Sequence, residues 1–261
     1  MIFIHNLNPV AFEIFSIKIY WYSLAYIFGF FLGSFYAKRL VNRIQCTFKS
    51  EMIDDFLTYA IVSVIIGGRL GYVVFYNFNF FLNNPFEIIK IWNGGMSFHG
   101  GFLGVVLAML IFSRIKKILF FDLANIVAAC VPIGLFLGRI ANFVNGELYG
   151  TPTNGEWGVI FNEDSIPRHP SQIYEAIFEG LLIFLVLKFF LTKKYFFVYN
   201  TCAIFLILYG SFRFIIEFFR EPDSHIGYIL ELLSVGQILC LPMIFLGFYF
   251  LKRENDDTTR T

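Results

Sequence analysis

Four basic side chains stand in glycine-containing frames within otherwise apolar sequence. Arg69 lies in Gly67-Gly-Arg-Leu-Gly71 and His99 in Gly94-Gly-Met-Ser-Phe-His-Gly-Gly101. Arg139 lies in Gly138-Arg-Ile-Ala-Asn-Phe-Val-Asn-Gly-Glu147, and Arg213 in Tyr209-Gly-Ser-Phe-Arg-Phe-Ile-Ile-Glu-Phe-Phe-Arg220. An ionisable residue inside an apolar run is costly, which makes it a functional candidate. Helical spacing groups the candidates. Tyr209, Arg213 and Glu217 fall at i, i+4 and i+8 and share a face, as do Arg139 and Asn142 at i and i+3. Arginine carries a permanent charge on a planar fork that matches phosphate. Several arginines at headgroup depth therefore suit the phosphate of a phospholipid. Competing readings stand beside this one. An arginine near a helix end also snorkels to the interface, and Arg213 with Glu217 also reads as a structural ion pair. The glycines allow backbone to approach either a ligand or a neighbouring helix. Glu175 and Glu179 share a face of another apolar run. Glu175, which follows His169-Pro-Ser-Gln-Ile-Tyr174, lines the site in this reading, and Glu179 is left open.

The elements that must carry these residues are transmembrane helices. Hydrophobic residues make up 57% of the 261 and charged residues only 15%, against roughly 25% charged in soluble domains. Lipid is therefore the solvent. A bilayer core needs about 20 apolar residues of helix, and seven runs approach that length: 19–37, 56–76, 98–112, 119–138, 173–191, 196–219 and 229–251. Lys38, Arg39, Arg43 and Lys49 follow the first run; Arg114, Lys116 and Lys117 the third; Lys193 and Lys194 the fifth; Lys252 and Arg253 the seventh. Positive charge marks the cytoplasmic side, so the N-terminus is expected outside and the C-terminus inside. The predicted fold is an all-α polytopic membrane protein of about seven transmembrane helices, forming a single transmembrane domain over residues 1–251. A small external head segment occupies about 142–170, within which 157–161 has the pattern of a short strand. Residues 77–97, with Phe78, Phe80, Phe81, Phe86 and Trp92, read as an interfacial amphipathic segment. The polar cytoplasmic tail 252–261 is expected to be disordered.

Several classes are excluded or set aside. A net charge of +1 gives no reason to expect a nucleic-acid partner. Cys130, Cys202 and Cys240 lie in apolar runs and read as small hydrophobes, Cys46 has no assigned role, and none of the four shows metal-ligand spacing. No G-x-x-x-x-G-K or H-E-x-x-H pattern is present. Residues 1–17 lack the charged region of a cleavable signal peptide. A transporter or lipid scramblase calls for an internal repeat and midplane charges on broken helices, and the two halves show no repeat. A non-catalytic membrane scaffold is the other rival; it predicts that replacing Arg139 or Arg213 harms only folding or abundance.

These residues resemble the prolipoprotein diacylglyceryl transferases of bacterial inner membranes. The segment from Gly138 to Glu147, ending at Gly150, is close to that family's signature. Gly94–Gly101 resembles its histidine segment, His169–Glu175 the opening of its fifth span, Arg213–Asp223 its sixth-span block, Trp21-Tyr22 its first-span aromatic pair, and Leu233-Ser-Val-Gly-Gln237 the opening of its last span. Two positions depart: Asn125 stands where the family usually has Asp, which puts a charge-dependent role there in doubt, and Ser23 stands where it usually has Gly.

The resemblance implies a reaction in which the sn-1,2-diacylglyceryl group of phosphatidylglycerol passes to the lipobox cysteine thiol in the signal peptide of a prolipoprotein. A thioether forms and glycerol 1-phosphate leaves, with no metal or organic cofactor. The nucleophile then belongs to the substrate. Arg139 and Arg213 are expected to clamp phosphate, with Asn142, Glu147, Gly150 and Tyr22 positioning the headgroup and Arg69, Tyr209 and Glu217 adding to the substrate site. His99 is the candidate general base, since imidazole titrates near neutrality. The alternative is that His99 only orients the lipid while an arginine-held thiolate forms without it.

Overall fold

The computed structural model of the protein describes residues 1–261 except 45, 162–164, 193–199, 222–227, 230–232 and 259–261. Lys193, Lys194 and Asp223, and the start of the sixth apolar run at 196–199, lie outside the described residues. In chain order the elements are β1 (Ile2–Ile4), β2 (Val10–Ile14), β3 (Ile17–Tyr20), α1 (Trp21–Arg43), α2 (Met52–Phe75), α3 (Phe78–Asn83), α4 (Phe98–Lys116) and α5 (Phe120–Asn145). Next come β4 (Gly158–Ile160), α6 (Ser171–Glu175), a π-helical turn Ala176–Leu182, α7 (Ile183–Thr192), α8 (Asn200–Ile216), β5 (Tyr228–Ile229), β6 (Leu233–Ser234) and α9 (Val235–Thr258).

The protein is an all-α membrane protein with only minor strand pairing. Among the described residues, five helices are long and apolar enough to cross a bilayer: Trp21–Arg43, Met52–Phe75, His99–Lys116, Phe120–Asn145 and Thr201–Phe219. The fifth apolar run folds as α6, the π turn and α7, and the last as α9. Two boundaries differ from the sequence reading. Helix α5 runs past Gly138 to Asn145, so the Arg139 motif is helical. Helix α9 continues through the polar residues Lys252–Thr258 rather than giving way to a disordered tail.

The chain forms two compact units, Ala37–Ala124 and Met1–Tyr36 with Asn125–Thr261. In the first, α2 and α4 meet along facing Gly-x-x-x-Gly stripes, Gly67/Gly71 and Gly100/Gly104. A Cβ on Gly100 would lie 2.2 Å from the Gly67 carbonyl oxygen, and one on Gly104 2.4 Å from that of Ser63. Small residues allow this backbone approach, so these glycines serve helix packing. Ser97 caps α4 by accepting from Gly100 N at 3.2 Å, and its own N–H donates to the Gly68 carbonyl at 2.8 Å. The basic helix ends are paired, Lys38 with Asp54 and Lys116 with Asp55, each at 2.6 Å. Burial pushes the Cys46 thiol up to about 12, with the Asp122 carboxylate adding to the shift, so this cysteine is a poor nucleophile.

In the second unit, β1 pairs parallel with β4, which confirms the short strand within 157–161. β2 and β3 form a hairpin whose turn residues Phe15 and Ser16 have positive φ. The apolar core gathers Ala128 of α5, Ile183 and Leu187 of α7, and Phe205 and Tyr209 of α8. Asn125 of α5 accepts the Cys202 N–H at 2.9 Å, satisfying one of the orphan donors in the first turn of α8. An amide oxygen meets that need without charge.

Candidate active site

Arg139 lies within two turns of the end of α5, Glu175 closes α6, Arg213 stands in the last turn of α8, and Arg220 follows the 3-10 turn Glu217–Phe219. These four side chains converge. Arg139 Nε is 2.8 Å from Glu175 Oε2, Arg220 Nη1 is 3.0 Å from Glu175 Oε1, and Arg213 Nη1 pairs with the same Oε1. Glu175 is 0% exposed, whereas the arginine side chains retain 17, 14 and 11% for Arg139, Arg213 and Arg220. Whatever reaches the cluster from outside therefore meets guanidinium rather than carboxylate. A carboxylate so buried persists as a charge only when paired and hydrogen-bonded, and three cations from three separate segments fill that requirement.

A second layer fixes Arg213. Its Nη2 is 2.7 Å from Glu217 Oε2, and Glu217 Oε1 accepts from the Ser234 hydroxyl at 2.9 Å. Ser234 N–H donates to Gln237 Oε1 at 3.0 Å, and Gln237 Nε2 donates to the Phe214 carbonyl at 3.3 Å. A Cβ on Gly236 would sit 2.6 Å from Glu217 Oε1, so a larger residue there would push the Glu217 carboxylate from its present place. Glu217 is thus the structural partner of Arg213. Tyr209, one turn earlier on that face, is buried in the apolar core and stacks on Phe205.

The residues after Arg139 fold back on themselves. Asn142 Nδ2 donates to Glu147 Oε1 at 2.8 Å and Asn145 Nδ2 to the same oxygen at 3.2 Å. The backbone carbonyl of Glu147 accepts from Gln172 Nε2 at 2.7 Å, and that of Leu148 from Ser171 Oγ at 3.1 Å. Gly146 (φ 68°) and Leu148 (φ 58°) make the reversal. The Tyr22 hydroxyl lies 3.2 Å from that of Tyr26.

Two predicted site residues make extensive contacts with backbone. Arg69 was expected at the headgroup, but its donors go to backbone carbonyls: Nε to Ile88 at 2.8 Å, Nη1 to Gly94 and Gly95, and Nη2 to Glu87 at 2.6 Å and Lys90 at 3.3 Å. It lies 5.1 Å over the Phe81 ring and is buried, so it fastens the 77–97 segment onto α2. Gly150 was expected to position the headgroup. A Cβ there would lie 2.2 Å from the Phe219 carbonyl oxygen and 2.7 Å from His169 Cβ, so this glycine lets two loops cross. His99, in the unit of α2 and α4, is exposed in the first turn of α4.

Residues 9–253 match the family model described as prolipoprotein diacylglyceryl transferase. The chain belongs to this family. Its relatives include phosphatidylglycerol–prolipoprotein diacylglyceryl transferases from Rickettsia felis and Rickettsia rickettsii (strain Sheila Smith), each 50% identical, and from Rickettsia typhi, 48% identical. In all three comparisons the match covers 96% of this chain and 98% of the relative.

Within this diacylglyceryl transferase fold, sequence reasoning missed Arg220 and understated Glu175. Arg220 continues the spacing Arg213, Glu217, Arg220 at i, i+4 and i+7, a signal that extends the same face by one turn. Nothing local marks Glu175 as a hub, since its partners lie 36, 38 and 45 residues away along the chain.

Proposed function

We propose that this protein transfers the sn-1,2-diacylglyceryl group from phosphatidylglycerol to the lipobox cysteine of a prolipoprotein signal peptide. The observation that carries the reading is the meeting of Arg139, Arg213 and Arg220 around Glu175, in a chain whose relatives are named for this reaction. The cysteine sulfur attacks the glyceryl carbon esterified to phosphate, a sulfur–carbon bond forms, and the carbon–oxygen bond breaks with its electron pair on the phosphate oxygen. Glycerol 1-phosphate departs. Negative charge grows on that oxygen, and preorganised guanidiniums stabilise such a charge far better in a site poor in water than in bulk solvent. Arg139 and Arg213 hold the phosphate, Asn142, Glu147 and Tyr22 orient the glycerol end, and His99 takes the thiol proton. The residues supply this chemistry without calling on a metal or organic cofactor.

The same reading has the chain crossing a bacterial inner membrane about seven times, with the N-terminus outside, the C-terminus in the cytoplasm, 142–170 as an external head and 77–97 at the interface. The test is thioether formation on a lipobox peptide from labelled phosphatidylglycerol by the purified protein in liposomes. Product is expected from the wild type, and its absence would end the proposal. His99→Gln is expected to lose most turnover at neutral pH; full activity would remove His99 as the base.

A further inference from the structure

Glu175 and Glu179 stand one turn apart on one helical run, and both are wholly buried. Their surroundings differ sharply. Glu175 receives guanidiniums from three segments, one on Oε2 and two on Oε1. Glu175 Oε1 accepts hydrogen bonds from Arg213 and Arg220 while its Oε2 is held by the ion pair to Arg139 alone; neither oxygen of Glu179 has a hydrogen-bond partner among the described residues, and its contact with Arg213 Nη1 is 3.8 Å, beyond hydrogen-bond length. Regular α-helix ends at Glu175 and the π turn begins at Ala176; such turns often accompany functional positions. Within that turn, a Cβ on Gly180 would lie 2.7 Å from Phe136 Cα. This close approach fixes the run against α5, whose next turn carries Arg139.

Resting on the functional reading above, we infer that Glu175 is a positioning residue of the transfer reaction: it touches no substrate but holds Arg139, Arg213 and Arg220 together for the phosphate. Like charges repel strongly in a medium of low dielectric constant. Three guanidiniums stay gathered only around a fixed counter-charge, and a carboxylate with two oxygens supplies one on each side. The arrangement exists before lipid arrives, so the arginines need no reorganisation as charge develops on the leaving phosphate oxygen. Glu179 lies outside this hydrogen-bonded set, and its charge is dispensable to it.

Glu175→Gln preserves side-chain size but replaces one oxygen by an NH2 donor, which faces a guanidinium donor without a bond. It also leaves the cluster one unit more positive. Turnover is therefore expected to fall on the order of 100-fold, while phosphatidylglycerol, an anion, binds at least as tightly as to the wild type. That division separates positioning from a purely structural role, because a misfolded variant loses binding and turnover together. The experiment uses the full chain in nanodiscs of zwitterionic lipid, with titration by phosphatidylglycerol and thioether formation on a lipobox peptide measured in parallel. Glu179→Gln, which removes a buried carboxylate from the same run but no hydrogen bond, is expected to stay within about threefold of wild type in both measurements.

Three results would overturn the inference: Glu175→Gln turning over at close to the wild-type rate, its losing lipid binding along with turnover, or Glu179→Gln falling as far as Glu175→Gln. Wild-type protein that binds lipid yet forms no thioether would instead remove the functional reading itself.

Discussion

Arg139 meets Glu175 through Nε at 2.8 Å, and its side chain stays 17% exposed. Arg139→Lys keeps the charge and loses the planar fork, so it separates bidentate recognition from simple attraction. The expected result is a fall in kcat/KM for phosphatidylglycerol on the order of 100-fold, measured as thioether formation; unchanged turnover would make the fork irrelevant. His169 offers a prediction of a different kind. Its Nδ1 lies 3.2 Å from the Tyr174 hydroxyl, and its ring packs among Trp157, Tyr174 and Phe219. Burial lowers its pKa below the ordinary histidine value of 6.5. The unfolded chain then binds the proton more readily than the folded one, so the contribution of neutral His169 is complete above pH 6.5 and is lost as pH falls through the lower, folded value. Thermal stability should decline on acidification below pH 6.5, and less steeply in His169→Asn. Equal slopes for the two proteins would dismiss this histidine as a source of acid sensitivity.

At the scale of elements, glycines decide how closely helices pack. Gly100 faces the Gly67 carbonyl oxygen, and Gly100→Ala would place a methyl group 2.2 Å from that atom and 2.8 Å from Gly71 Cα. Backbone cannot yield as a flexible side chain does, so α2 and α4 must separate, at a cost of about 1–3 kcal/mol. Gly134→Ala is the matched control, because a Cβ there meets nothing within 4 Å and alanine favours helix. Thermal unfolding in detergent should show a clear loss for the first and none for the second. Arg69 acts at this scale as well. By filling its donors with carbonyls of residues 87–95, it gives the irregular connection between α2 and α4 a fixed path, as buried carbonyls require.

For the whole molecule, orientation rests on charge. The basic residues that close α1 and α4 and those near the end of α9 fall after alternate apolar runs, and the proposed orientation sets them on the cytoplasmic side under the positive-inside rule. A fluorescent protein fused after Thr261 is therefore expected to fluoresce, and an N-terminal tag to be accessible to external protease. Protection of the N-terminal tag together with exposure of the C-terminus would reverse the proposed orientation.

Sequence alone determined that this chain lives in lipid and which arginines stand in unusual frames. Those are local properties, since an apolar run of sufficient length and a charge set within it are both written in consecutive residues. It also located the short strand within 157–161 and the blocks that resemble the family. Tertiary structure decided which of those charges meet. It drew Arg139, Arg213 and Arg220 onto Glu175, set Arg69 among backbone carbonyls and Gly150 at a loop crossing, and made Glu217 the partner that holds Arg213. Each of these outcomes depends on groups tens of residues apart brought within about 3 Å. No periodicity in the intervening sequence encodes which helix faces which.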